Sequence, residues 1–96
     1  MPAMTNILVE PRAPEPLFHD DSGAVRFWVA TGEGRFVGAT ISKQTLHYRF
    51  QASLDGSDAV RTYVAHQEEI DGAVRRRLAA GSLEPIMLRE FDVKRH

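Results

Sequence analysis

Cysteine is absent from these 96 residues, which rules out a disulfide scaffold, a thiol nucleophile and a thiolate zinc site. An excess of either charge is also missing: 12 Lys and Arg stand against 13 Asp and Glu, for a net charge of −1. With an isoelectric point of about 6.4, the chain has no overall basic field to hold nucleic acid or an anionic membrane. Long apolar runs are lacking too. Ile7-Leu8-Val9 is stopped by Glu10 and Pro11, too short for a signal-peptide core or a membrane span. The expectation is a soluble, cytoplasmic protein. Repeats are absent, and a chain of this length with 43% apolar residues has enough to bury one modest core.

What is present is punctuated by proline and glycine. Four of the five prolines fall before Leu17, and the Pro11-Arg12-Ala13-Pro14-Glu15-Pro16 run predicts an extended, mobile arm over residues 1–16. Ile7–Val9 offers an edge strand within it. A single α+β domain is expected over residues 17–96.

The strongest pattern runs from Ser57 to Gly81. At 100° per residue, Val60, Tyr63, Gln67, Ile70, Val74 and Leu78 fall on one stripe, predicting one long amphipathic helix. Ser57 is placed to cap it, Arg75, Arg76 and Arg77 suit the negative end of the helix dipole, and Gly81 supplies the left-handed stop before Pro85. Asp71 and Arg75 stand four apart in the favourable order. At about 1.5 Å per residue the rod would be roughly 35 Å long. The three arginines spread around the helix and form no phosphate-tracking face; Arg77 is expected to run its stem along the core edge.

Val25, Phe27 and Val29 alternate with Arg26, Trp28 and Ala30, and Val37, Ala39 and Ile41 alternate with Phe36, Gly38 and Thr40. This period of two predicts a hairpin turning at Thr31–Gly34. Ser42 reads as the N-cap of a short helix anchored by Leu46 and Phe50. Ile86-Met87-Leu88, apolar on both faces, predicts a closing strand within the sheet that continues toward Val93. The predicted fold is therefore a small antiparallel sheet with one short and one long helix on one face, in the order β-β-β-α-α-β.

No catalytic constellation emerges. Ser22, Ser42 and Ser57 have turn or cap roles, and Gly32, Gly34 and Gly38 do not match a dinucleotide loop. His19-Asp20-Asp21, His47 and His66 offer no pair on one helical turn, so neither a metal nor a cofactor is expected. An enzyme would require a deep pocket lined by His47 or His66 with a polar partner.

Ile41–Phe50 resembles the recognition-helix segment of TetR-type transcriptional repressors, which implies DNA contact through Lys43, Gln44, His47 and Arg49. The supporting helix of that family has no counterpart in the glycine-bearing, strand-like residues 31–41. A broader resemblance starts at Val25. The apolar-Arg-Phe-Trp strand, the short hairpin, the Ser-led helix with Leu46, the Tyr63-x-x-His66-x-x-x-Ile70 helix and the Ile86 to Phe91-Asp92 segment are similar to the uncharacterised bacterial domain-of-unknown-function family 1488. Gln67 stands where that family commonly has Arg. The resemblance implies a small α+β fold and transfers no activity.

Trp28 is the residue that most needs an explanation. On the sheet face turned from the helices it must be covered by Leu17 or Phe18 of the arm, buried in a dimer, or presented to a partner. The expected function is a non-catalytic interaction protein that binds a macromolecule, or itself, through this face, with Trp28 as anchor and Arg26 at the rim. DNA binding through the Ser42–Phe50 helix is the alternative.

Overall fold

The computed structural model describes residues 12–32 and 34–93. Its strands are β1 (Leu17–His19), β2 (Ala24–Gly32), β3 (Arg35–Ser42) and β4 (Ile86–Leu88), and its helices are α1 (Lys43–Phe50), α2 (Ala59–Ala65) and α3 (Gln67–Ala79). A 3₁₀ turn at Glu90–Asp92 follows β4. The predicted α+β class is what the chain adopts. Ile7–Val9 and most of the arm lie outside the described residues, and Arg12–Pro16 carry neither helix nor strand.

The sheet order is β1-β2-β3-β4. β2 pairs antiparallel with both β1 and β3, as the tight turns between them require. His19 closes the first turn: its Nδ1 accepts from the Ser22 backbone N–H at 3.2 Å. β4 corrects the all-antiparallel expectation. It pairs parallel to β3, with Ala39, Thr40 and Ile41 opposite Ile86, Met87 and Leu88. The connection from β3 passes through three helices, and such a crossover can return the chain in the same direction where a hairpin cannot. β4 is also an edge strand with Met87 58% exposed, so the apolar run does not sit between two strands.

The alternation places the core as read. Val25, Phe27, Val29, Val37, Ala39 and Ile41 point inward and meet Leu46, Tyr63, Ile70, Ala73 and Val74, while Val60 and Leu78 pack partly buried against this cluster. The Phe27 and Tyr63 rings lie 4.4 Å apart between centroids at a tilt of 34°. Ser42 caps α1 as predicted, its Oγ accepting from the Thr45 N–H at 3.1 Å.

The long rod is broken. His66, at φ −119° and ψ 28°, ends α2 and begins α3, and its ring stacks on Phe50 at 4.1 Å. The bend lets α2 pack on β1 and β2 while α3 reaches β2 and β4, so the helical layer follows a twisted sheet that a straight rod would leave. Gln67, assigned to the buried stripe, lies just past the bend and is exposed. Helix α2 starts at Ala59 without a side-chain cap, so Ser57 does not cap it. Asp58 instead accepts the Ser53 N–H at 2.9 Å, and Asp55 accepts that of Ser57 at 2.8 Å.

The end of α3 fulfils the prediction. Ser82 N–H donates to Arg77 O at 2.9 Å and Gly81 N–H to Leu78 O at 3.0 Å, with Gly81 at φ +99°. These two bonds define a Schellman stop, which satisfies carbonyls left over at a helix end.

The segment after β4 does not resume a strand. Asp92 Oδ2 accepts the Arg89 N–H at 2.8 Å and pairs with Arg77 at 2.6 Å. Arg76 donates to Asp92 O at 3.2 Å, and Arg49 to Glu90 O at 2.7 Å. These bonds curl the chain back and bury Val93 in the core. The arginine triplet thus ties elements together: Arg75 donates to Ala30 O at 3.1 Å, and Arg77, half-buried as expected, also reaches Ser82 and Met87 O.

Candidate functional site

All three helices cover the inner face of the sheet, so the opposite parity of each strand makes the outer face. Register sets Leu17, Arg26, Thr40 and Met87 in one row across the four strands, with Trp28 and Gly38 paired in the next. Trp28 is half-buried and Arg26 exposed. Around them Leu17 is 44%, Met87 58% and Phe91 66% exposed. The predicted pair therefore sits together on the face turned from the helices.

Of the two arm residues considered as covers for Trp28, Phe18 is excluded. It pairs with Val25 and so points inward, and its ring comes so close to Gly56 that a Cβ there would lie 2.7 Å from Phe18 Cζ. Leu17 has outward parity but stands in the row of Arg26, beside the tryptophan.

A groove of about 710 Å³ crosses this face, lined by Arg26, Thr40, Ser42, Met87, Arg89 and Phe91 among others. A smaller depression of about 270 Å³ extends it past Trp28, Gly38 and Pro85. The two share Arg26, Thr40 and Pro85. The mixture is hydroxyl-bearing in the middle, apolar along the β4 side and cationic at Arg26 and Arg89.

Glu84 closes the sheet at its upper edge. β4 begins only opposite Ala39, leaving the Gly38 N–H without a strand partner, and Glu84 Oε2 accepts it at 2.7 Å. A Cβ at position 38 would stand 3.2 Å from that oxygen and 3.6 Å from Trp28 Nε1. Gly38 therefore leaves room for both the carboxylate and the indole. The sequence reading missed Glu84, Met87, Arg89 and Phe91 as members of this face. For Met87 and Arg89 the signal was available: a period of two running on from Ile86 gives both the outward parity.

The residues assigned to DNA contact are placed differently. Helix α1 follows directly from β3, so no supporting helix precedes it. Lys43 is half-buried with its stem near Gly23, and Gln44 is exposed. His47 Nδ1 lies 2.7 Å from Ala52 O, which makes it the protonated nitrogen because a carbonyl only accepts. The Arg49 Nε–H is occupied by Glu90 O. His66 is stacked on Phe50. Neither His47 nor His66 lines the outer groove.

The perturbed titrations lie away from this face. Burial pushes the Asp71 carboxyl up, although the Tyr63 hydroxyl donates to it at 2.8 Å. Burial and Asp71 together push the Tyr63 phenol well above its ordinary value. Asp55 moves the other way, down to about 2, held by the Ser53 hydroxyl and the Ser57 backbone N–H. These groups stabilise turns and the helix bend. Among the described residues, no three His, Asp or Glu side chains gather as a metal site, and no helix is long and apolar enough to cross a membrane.

No family model, curated protein or solved structure matches this chain.

Proposed function

We propose that this chain is a small, non-catalytic cytoplasmic interaction protein that docks a macromolecule, a second copy included, on the outer sheet face. One observation carries the reading: every helix packs on the inner face, leaving half-buried Trp28 on the outer face, which also carries exposed Leu17, Met87 and Phe91. Large apolar side chains exposed close to an arginine on a face that carries a tryptophan are the composition of an interface centre. Trp28 is the anchor and Arg26 the rim contact. The resemblance to family 1488 rests on the residues quoted for it and favours no role.

DNA binding draws little support from α1. Its arginine and histidine already bond neighbouring carbonyls.

Trp28 is the single tryptophan, so its emission reports on this face directly. In the dilute full chain, its emission is expected to be quenched by acrylamide. Trp28→Ala is expected to remove any concentration-dependent mass in sedimentation while leaving the far-UV CD spectrum unchanged. A Trp28 that is fully protected from acrylamide in the dilute monomer would show the face already covered and end the proposal.

A further inference from the structure

Resting on that reading of the outer face, we infer that the groove receives an extended acidic segment of a protein partner, with two carboxylates flanking apolar side chains. Arg26 and Arg89 both line the groove, whereas Glu90 is its one carboxylate. Among the described residues neither guanidinium has an ion-pair partner, since the single salt bridge joins Arg77 to Asp92. The groove is therefore cationic at two points, with hydroxyl groups between them and apolar side chains along its β4 side.

The register sets the spacing of that anion. Arg26 lies in the row of Thr40 and Met87, and Arg89 follows Met87 by two residues on the same parity. Two strand spacings sideways and two residues along place their Cα atoms about 12 Å apart. With each guanidinium standing over its own strand position, a pair of carboxylates at a matching separation would meet the two arginines one to one. In an extended peptide rising about 3.3 Å per residue, acidic side chains roughly three or four positions apart match it. Between them, apolar side chains would lie on Met87, Phe91 and Pro85 while the Thr40 and Ser42 hydroxyls meet backbone groups.

The same charges disfavour a second copy as occupant. A face-to-face dimer would bring Arg26 and Arg89 of both molecules into one interface, and like charges brought together there oppose association.

The test uses the full chain and an end-blocked, tryptophan-free peptide with leucine, valine and leucine between two glutamates. Titration at low salt is expected to shift Trp28 emission saturably. Replacing both glutamates by glutamine should weaken binding by about tenfold, and Arg26→Ala or Arg89→Ala by roughly fivefold each, with unchanged CD spectra. High salt should weaken the glutamate peptide and leave the glutamine peptide nearly unaffected.

Equal binding of both peptides, insensitive to the two arginine substitutions, would overturn the acidic partner and leave outer-face docking standing. The same shift produced by free glutarate at equal concentration would identify a small-anion site and also overturn it. So would silence toward every peptide in a protein whose Trp28 is open to acrylamide. A Trp28 closed to acrylamide would remove the underlying proposal itself.

Discussion

The Tyr63 hydroxyl donates to Asp71 Oδ1 at 2.8 Å, entirely within the protein, and this bond closes the bend at His66. Residues eight apart on a straight helix are separated by about 12 Å along the axis and point in different directions. The two groups meet because α2 and α3 are inclined to each other. Tyr63→Phe would keep the ring against Phe27 but leave a buried carboxyl without its donor. The expected loss is about 1–3 kcal/mol in urea denaturation. A loss below about 0.5 kcal/mol, within the range of ordinary surface substitutions, would show that the pair does not hold the bend.

The two shifted aspartates give opposite pH dependences. The folded-state pKa of Asp71 is raised above its ordinary 3.8, so the folded protein holds that proton more tightly than the unfolded chain. Its contribution is therefore fully present below 3.8 and is lost as pH rises through the raised value. Asp55 falls from 3.8 to about 2, so its contribution is present above 3.8 and is lost as pH falls toward 2. Urea midpoints measured against pH should lose the first slope in Asp71→Asn and the second in Asp55→Asn. Superimposable profiles for wild type and both variants would contradict these assignments.

Gly56→Ala tests the attachment of β1. Gly56 has φ +82°, and a Cβ there would strike the Phe18 ring at 2.7 Å. Gly81, at φ +99°, opens onto space, so Gly81→Ala carries the backbone cost alone, about 1 kcal/mol. Gly56→Ala should cost more, about 2–4 kcal/mol, because backbone strain and overpacking add. Hydrogen exchange should also show lost protection at β1. Equal costs for the two substitutions would mean that Phe18 yields freely.

Arg77→Met retains much of the stem and removes three polar contacts: to Asp92 at 2.6 Å, Ser82 Oγ at 2.9 Å and Met87 O at 3.3 Å. With Arg77 partly exposed, the expected cost is about 1–2 kcal/mol. Amide exchange should quicken in β4 and the following 3₁₀ turn while the β2–β3 hairpin stays protected. Uniform loss of protection would instead place Arg77 in the global stability of the core.

Local physics made much of this fold legible. The period of two at Val25–Val29 and Val37–Ile41 needs only a half-buried strand, and the Ser42 cap and the Gly81 stop use groups within a few residues of each other. The same parity placed Trp28 and Arg26 on the outer face before any contact was known. Three features depended on partners distant in the chain. The bend at His66 answers to Phe50 and the twist of the sheet. The parallel direction of β4 follows from where α3 delivers the chain. The curl after Leu88 answers to Arg49, Arg76 and Arg77, whose targets no periodicity reveals. The outer groove belongs with these, because Arg26 and Arg89 become neighbours only when β3 is laid between their strands. Side-chain parity is a property of each segment alone; which segments share a face is decided by how the core closes.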